Sequence, residues 1–194
     1  MNRLGILGGT FDPPHLAHLI AGEMAVEAFA LDKLLFIPAN VPPHKAGQPI
    51  TSAEHRFAMT KLAVRGNEQF EVSGIELERP APSYMIDTIR EVQEQLKPES
   101  VFLFIGLDQF AAFESWNKYE DILREAQVVV MARPSHDVEK ISPSLRKQVQ
   151  FLSIPQLEIS STDIRARVQA GKPIRYLVPD EVREYIREHR LYQA

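Results

Sequence analysis

The sequence predicts an α/β fold, a doubly wound parallel sheet with helices on both faces, and three observations support this prediction. Short apolar runs alternate with segments of helical periodicity along the whole chain. Runs such as residues 101–105 are continuously apolar, which is typical of strands buried on both faces of a parallel sheet. With 194 residues, of which 44% are hydrophobic, the chain can bury the core of one domain.

Six apolar runs predict six strands. Most are nearly continuous in apolar residues, whereas residues 70–73 alternate like a half-buried strand. Gly8-Gly9 ends the first run, and the prolines of residues 38–45 make that segment a loop because proline cannot join a sheet ladder. In order, the expected strands are residues 4–7, 34–37, 70–73, 101–106, 128–131 and 151–154.

Helices are predicted between these strands from their start signals. Pro13-Pro14 prepares the first helix, which continues to Phe29. Thr51-Ser52-Ala53-Glu54 resembles a capping box for a helix to about residue 65, and Ser83 is a candidate N-cap for a helix over residues 86–92. The remaining expected features are a polar turn holding Asp108, short helical pieces on both sides of Trp116, a weakly ordered connection at residues 134–143, a helix opened by residues 159–165 and a last helix from Pro179.

The overall composition excludes several classes of protein. A formal net charge of −4 provides no electrostatic footprint for bulk binding of nucleic acid or a membrane, so a small ligand is favoured. The chain has no cysteine, which excludes a disulfide framework and thiolate chemistry. Because there is neither a targeting segment nor an apolar run of membrane-spanning length, we expect a soluble, cytoplasmic protein.

The segment that leaves the first strand suits an anion-binding site. We call residues 8–18, Gly8-Gly9-Thr10-Phe11-Asp12-Pro13-Pro14-His15-Leu16-Ala17-His18, the glycine loop. A glycine turn followed by a helix start brings backbone N–H groups and the positive end of a helix to one point. His15 and His18 are three residues apart, so in the first helical turn they can reach the same ligand. The loop has neither the Gly-Lys-Ser/Thr of a Walker A sequence nor the G-x-G-x-x-G spacing of a dinucleotide site.

A second loop has matching chemistry. Residues 159–165, Ile159-Ser160-Ser161-Thr162-Asp163-Ile164-Arg165, which we call the serine loop, place three hydroxyls at a helix start and Arg165 one turn further. Both loops follow strands and open helices. Because ligands of open parallel sheets bind outside the carboxyl ends of the strands, we expect the two loops to converge there.

Several residues also have purely structural explanations. His15 and His18 could be structural histidines or half of a metal site, although no further His, Asp and Glu cluster has the spacing of a zinc site. The serine loop could be an ordinary N-cap with a solvated arginine. Trp116 could belong to the core, although its neighbours are polar.

Taken together, the glycine and serine loops resemble the nucleotidyltransferase superfamily, and over essentially its full length the chain is similar to the bacterial nicotinate mononucleotide adenylyltransferases. The narrower resemblance rests on Pro42-Pro43-His44-Lys45, Pro82-Ser83-Tyr84-Met85-Ile86-Asp87-Thr88, Gly106-Leu107-Asp108, Trp116 and Ala132-Arg133-Pro134. One departure is Ala17, where the family usually has glycine; it adds a methyl group near the triphosphate but removes no chemical group. The resemblance implies a Rossmann-like nucleotidyltransferase fold in one domain, residues 1–194, with the helices of residues 160–194 completing the ATP site.

The resemblance implies that the phosphate of nicotinate mononucleotide attacks the α-phosphorus of ATP and releases pyrophosphate. This in-line displacement requires positioning and charge neutralisation rather than a nucleophilic side chain. His18 would stabilise charge on the α-phosphoryl group, with His15 beside it and Arg165 on the leaving phosphates. Mg²⁺, held by phosphate oxygens and water, would neutralise the remaining charge. The implied ATP-binding residues are Gly8, Gly9, Thr10, Phe11, His15, His18, Gly106, Asp108, Ser160, Ser161, Thr162 and Arg165.

For the second substrate, the resemblance implies a site made of an aromatic side chain and backbone N–H groups. Trp116 would stack on the cationic pyridinium ring, and backbone N–H groups at the start of the helix after Ser83 would bind the carboxylate. The implied mononucleotide-binding residues are Asn40, Lys45, Ser83, Tyr84, Met85, Trp116 and Arg133. Backbone recognition of the carboxylate, which the resemblance implies, would have no side-chain signature, so the sequence leaves the choice between nicotinate and nicotinamide open.

The alternatives are another superfamily member, such as a phosphopantetheine adenylyltransferase or a cytidylyltransferase, and a non-catalytic nucleotide-binding module on the same fold. The implied partners are ATP and nicotinate mononucleotide, without nucleic acid or membrane, and a homo-oligomer is left open. The Pro-Pro-His-Lys sequence, Trp116 and the chain length favour the pyridine-nucleotide enzymes.

Overall fold

The six predicted strands form a single sheet in the computed structural model, which describes residues 3–40, 50–80, 82–132, 143–155 and 157–193. The strands are β1 Arg3–Gly9, β2 Lys33–Pro38, β3 Phe70–Val72, β4 Ser100–Gly106, β5 Gln127–Ala132 and β6 Gln150–Ser153. Their order is β3-β2-β1-β4-β5-β6, and every neighbouring pair is parallel. These parallel pairings confirm the predicted parallel α/β sheet. Parallel neighbours cannot be joined by a tight turn, so each pairing needs a crossover connection.

Helices connect the strands and continue beyond the last one. They are α1 Leu16–Phe29, α2 Ala53–Ala63, α3 Met85–Leu96, α4 Leu107–Ala111, α5 Tyr119–Glu125, α6 Pro143–Arg146, α7 Ser161–Gln169 and α8 Asp180–Glu188. A short 3-10 helix, Phe113–Ser115, lies between α4 and α5, so Trp116 is flanked by short helical pieces as predicted.

Alternating side chains of the strands build two cores, one on each face of the sheet. Leu4 and Ile6 of β1 belong to the cluster that includes Ile86 and Ile89 of α3. Leu7 belongs to the opposite cluster, which includes residues of α1. Because both faces of the sheet are covered, the continuous apolar runs of the sequence are buried on both sides of their strands.

A third apolar cluster joins α2, α7 and α8. Met59, Ile164 and Val182 have no exposed side-chain surface in it. Burying one such side chain contributes about 1.5–3 kcal/mol. This cluster therefore holds α7 against α2 and fixes the serine loop relative to the sheet.

Local details differ from the sequence prediction at three element boundaries. Pro38 ends β2 opposite Gly9 instead of beginning the loop, because the last residue of a strand can lack a donor. Tyr84, not Ser83, is the N-cap of α3, since the Ser83 hydroxyl accepts a hydrogen bond from Arg79 Nη2 at 3.3 Å. Asp108 lies in the first turn of α4 and not in a polar turn.

Two further details concern the loops between elements. The hydroxyl that caps α2 is that of Ser52, which accepts from the backbone N–H of His55 at 3.4 Å. Lys45, Arg133 and residues 134–142 of the predicted connection lie outside the described residues, whereas Pro143 begins α6.

Candidate active site

The glycine loop leaves β1 at the point where the sheet changes its direction of winding. β1 pairs with β2 on one side and with β4 on the other, and the chain reaches those strands through opposite faces. In an open parallel sheet this switch point leaves a crevice at the carboxyl ends of the strands. The loop predicted to bind an anion therefore lies where the topology provides space for a ligand.

The two glycines of this loop lie close to neighbouring side chains. A Cβ atom on Gly8 would lie 2.9 Å from Met85 Cε, and one on Gly9 would lie 3.0 Å from the ring of Phe11. A side chain at position 8 would therefore have to displace the end of the Met85 side chain, and one at position 9 would press on the Phe11 ring. The contact at Gly8 also shows that the first residue of α3 packs directly against the glycine loop.

The two histidines stand together at the start of α1. His15 is the N-cap and His18 lies three residues later, and their rings stack with centroids 3.7 Å apart and planes 19° apart. The backbone N–H of His15 donates to His18 Nδ1 at 3.2 Å. Since Nδ1 of His18 is an acceptor in this bond, the proton of the neutral ring is on Nε2, which remains a donor.

Burial keeps this pair uncharged. His15 is only 6% exposed, and burial lowers its pKa from 6.5 to about 4. Burial also holds the pKa of His18 well below 6.5, and the neighbouring His15 lowers it further. Near neutral pH both rings are therefore neutral donors without a charged ligand, and a phosphate would favour their protonation.

The serine loop reaches the glycine loop through two direct hydrogen bonds. Ser161 Oγ donates to the carbonyl oxygen of Pro13 at 2.8 Å, and Arg165 Nη1 donates to the carbonyl oxygen of Asp12 at 2.8 Å. The predicted convergence of the two loops is thus observed. It brings the N-terminus of α7 and a guanidinium group to the loop that carries the two histidines.

The hydroxyls of the serine loop also have structural partners. Ser160 Oγ accepts from the backbone N–H of Asp163 at 3.0 Å, so Ser160 is the N-cap of α7. Thr162 Oγ1 accepts from Arg165 Nη2 at 3.3 Å. The N-cap interpretation is therefore correct for Ser160, and Arg165 is oriented by contacts at both ends of its guanidinium group.

The second group of predicted residues lies around the neighbouring strand β4. This strand ends at Gly106, whose N–H donates to Gln109 Oε1 at 3.2 Å, and the exposed Asp108 follows. Trp116 is partly exposed and packs against Phe113, with ring centroids 5.3 Å apart. Tyr84, Met85 and Trp116 all border the same apolar cluster, so they lie on one face of the sheet.

Three residues that the sequence analysis did not assign support the glycine loop. Asp12 is 4% exposed; its Oδ1 accepts from the Tyr192 hydroxyl at 2.7 Å, and its Oδ2 accepts from the Thr51 N–H at 3.2 Å. Burial, together with Asp12, raises the pKa of Tyr192 above its usual value. Arg56 is 1% exposed and donates to the carbonyl of Thr10.

The burial of Arg56 could have been predicted from the sequence. This residue shares the spacing of Met59, Thr60 and Ala63, the buried positions of α2, so its place on that face follows from helical periodicity. Nothing local to Tyr192 indicates its partner, which is 180 residues away.

The described ranges contain neither a clustered metal site nor a membrane-spanning helix. Within them, no group of three or more His, Cys, Asp or Glu side chains is arranged to hold a metal ion. Among the helices of the same ranges, none is long and apolar enough to cross a membrane.

Comparison with known proteins defines the class to which this fold and site belong. The sequence profile of the cytidylyltransferase-like family matches residues 6–167. The chain belongs to this family. A solved structure of Plasmodium falciparum nicotinic acid mononucleotide adenylyltransferase complexed with NaAD has the same fold, with a TM-score of 0.75 at 18% identity, and the match covers 99% of this chain and 98% of that one.

Two relatives that match this chain over nearly their full length are named as nicotinate-nucleotide adenylyltransferases. Nicotinate-nucleotide adenylyltransferase of Bacillus subtilis is 37% identical over 194 residues, which cover 100% of both chains. A protein of Symbiobacterium thermophilum named "probable nicotinate-nucleotide adenylyltransferase" is 41% identical over 199 residues, covering 99% of this chain and 96% of the relative.

Proposed function

We propose that this chain transfers the adenylyl group of ATP to nicotinate mononucleotide, giving nicotinate adenine dinucleotide and pyrophosphate in NAD biosynthesis. The full-length similarity to nicotinate-nucleotide adenylyltransferases supports the substrate pair. The observation that carries the chemistry is the direct joining of the serine loop to the glycine loop by Ser161 and Arg165. The contact between the two loops places hydrogen-bond donors together at one edge of the sheet. An in-line phosphoryl transfer needs such donors around its phosphates.

In the proposed mechanism, His18 acts on the reacting phosphoryl group. Its Nδ1 is held by the His15 N–H, so Nε2–H is oriented to donate to a non-bridging oxygen of the α-phosphate. Charge grows on this group as the mononucleotide phosphate attacks. A donor fixed in place before the reaction stabilises that charge without further reorganisation.

The leaving pyrophosphate is assigned to the N-terminus of α7. Arg165, Ser161 and Thr162 lie there, and the helix end adds a partial positive charge. Arg165 already contacts the glycine loop, so its guanidinium group can bind the β- and γ-phosphates without a large movement. In this proposal the chain is one nucleotidyltransferase unit, and residues 160–194 complete its ATP site.

Mg²⁺ is proposed to enter with ATP. Both carboxylate oxygens of Asp12, the buried acid of the glycine loop, already accept hydrogen bonds. The ligands expected for Mg²⁺ are therefore oxygen atoms of the phosphates and of water. When bound, the ion would neutralise charge on the phosphates during transfer.

Nicotinate mononucleotide is assigned to the side of β4 where α3 begins. Tyr84, as N-cap, and Met85 present the start of α3 beside Gly8 and offer its backbone N–H groups to the carboxylate. Trp116, partly exposed on the same face, would stack on the pyridinium ring. Asp108 and Gly106, at the end of β4, are assigned to the ribose of ATP.

Pyrophosphate release tests the function. The protein is given ATP and Mg²⁺ with nicotinate mononucleotide, nicotinamide mononucleotide or phosphopantetheine separately. We expect the fastest release with the nicotinate form; release only with phosphopantetheine would assign the chain to another branch of the superfamily, and release with none would leave a binding module.

A matched pair of variants tests the assignment of the phosphate site. Arg165→Gln should lower kcat strongly, because it removes a donor to the leaving phosphates. Arg167→Gln changes the same residue type on the same helix, but Arg167 contacts the carbonyl of Pro173. It should therefore retain wild-type kcat, and equal losses in both variants would contradict the assignment of Arg165.

A further inference from the structure

Arg56 is a buried guanidinium group that binds only backbone carbonyls in the described ranges. It lies on α2 and is 1% exposed. It donates from Nε to Thr51 O at 2.9 Å, from Nη1 to Thr10 O at 2.9 Å and Ala39 O at 2.7 Å, and from Nη2 to Asn40 O at 2.8 Å. Burial lowers the pKa of Arg56, and the charge of Asp12 opposes this effect.

Three of these four carbonyls belong to segments that the two substrates would use separately, and the fourth, that of Thr51, lies just before α2. Thr10 is part of the glycine loop, the proposed ATP site. Ala39 and Asn40 follow β2, and Asn40 is one of the residues expected to bind the mononucleotide. A guanidinium group is suited to join them, because its five donors form a rigid planar fork.

The hydrogen bonds continue from Asn40 to the start of α3. Asn40 Nδ2 donates to the carbonyl oxygen of Arg79 at 2.9 Å, and Arg79 Nη2 donates to Ser83 Oγ at 3.3 Å and to Thr88 Oγ1. Ser83 directly precedes the N-cap of α3. One continuous path therefore connects Thr10 with the helix end assigned to the nicotinate carboxylate.

We propose that Arg56 is a positioning residue that fixes the separation of the two substrate subsites. This proposal rests on the proposed adenylyl transfer. Each subsite has its own donors, so each binds its substrate without Arg56. Arg56 instead sets the distance and angle between the attacking phosphate and the α-phosphorus, which in-line transfer requires.

Arg56→Lys tests this role because it keeps the charge and most of the length but not the planar fork. An ammonium group cannot hold four carbonyls in the same geometry. We expect kcat to fall by about 100-fold, the loss typical of a misplacement of about 1 Å. KM for each substrate, and the Kd of a non-hydrolysable ATP analogue, should change by less than about threefold, because the subsites themselves remain.

Thr60→Val is the matched control for a purely structural effect. Thr60 is fully buried on the same helix, and its hydroxyl donates to the carbonyl of Arg56 at 2.7 Å, within α2. Its loss should lower the melting temperature while kcat stays within about twofold of wild type, because no donor to the two segments is removed. Arg56→Gln, with a shorter planar amide, should lose more kcat than Arg56→Lys at a comparable melting temperature.

The possible outcomes separate the two proposals. The activity of the wild-type protein tests the proposed adenylyl transfer. The ratio of the kcat of each variant to that of the wild type tests the role of Arg56. A folded Arg56→Lys with wild-type kcat overturns the positioning role, as does a kcat loss matched by Thr60→Val. If both Arg56 variants fail to fold while Thr60→Val folds, Arg56 serves stability alone and the proposal is overturned.

Discussion

Acidification should weaken the protein through His15. The pKa of this buried imidazole falls from 6.5 to about 4 on folding, so the unfolded chain binds a proton that the native state excludes. Stability is therefore fully present above about pH 6.5 and is lost as the pH falls toward about 4. Since one pKa unit corresponds to about 1.4 kcal/mol, the complete loss is about 3 kcal/mol, of which about 2 kcal/mol is lost by about pH 5.

Urea unfolding at about pH 7.5 and about pH 5 measures this loss, with the fluorescence of Trp116, the single tryptophan, as the signal. The variant His15→Gln should lose about 2 kcal/mol less than wild type over the same interval, whatever its stability at the higher pH. His18 adds to the dependence in the same direction, because its pKa is also lowered. Equal pH dependence in wild type and His15→Gln would refute the reasoning, as would an NMR titration of His15 with a midpoint near its unfolded value.

Three substitutions test individual contacts of the site. His18→Ala should lower kcat by about 100- to 1,000-fold while ATP-analogue binding in calorimetry changes little, and unchanged turnover would exclude His18 from the chemistry. Trp116→Ala should raise KM for the mononucleotide about 2- to 30-fold, the loss of one cation–π contact, whereas equal effects on both KM values would make Trp116 a core residue. Tyr192→Phe should cost about 1–3 kcal/mol of unfolding free energy because it leaves Asp12 Oδ1 without its hydroxyl donor, and an unchanged denaturation midpoint would contradict that bond.

The sheet and its glycine loop were predictable because the necessary information is local. Apolar runs long enough to be buried on both faces identify strands such as β4, and Gly8-Gly9 marks where β1 ends. The convergence of the two loops followed from one topological rule about the carboxyl ends of parallel strands. The observed bond between Ser161 and Pro13 agrees with that rule across 148 residues.

The residues that support the site were not predictable in the same way. The position of Arg56 on a buried helix face follows from periodicity, but its four carbonyl partners depend on how two loops fold around it. Ser83 failed as a predicted N-cap because Arg79, four residues earlier, engages its hydroxyl. In both cases the hydrogen-bond partner of a side chain is decided by the arrangement of the folded chain and not by the local sequence pattern.

The hydrogen bond between Tyr192 and Asp12 joins residues that are 180 positions apart in sequence. One support of the loop that leaves β1 therefore comes from a residue beyond α8. A substitution in the segment after α8 can consequently disturb the glycine loop without changing any residue of that loop.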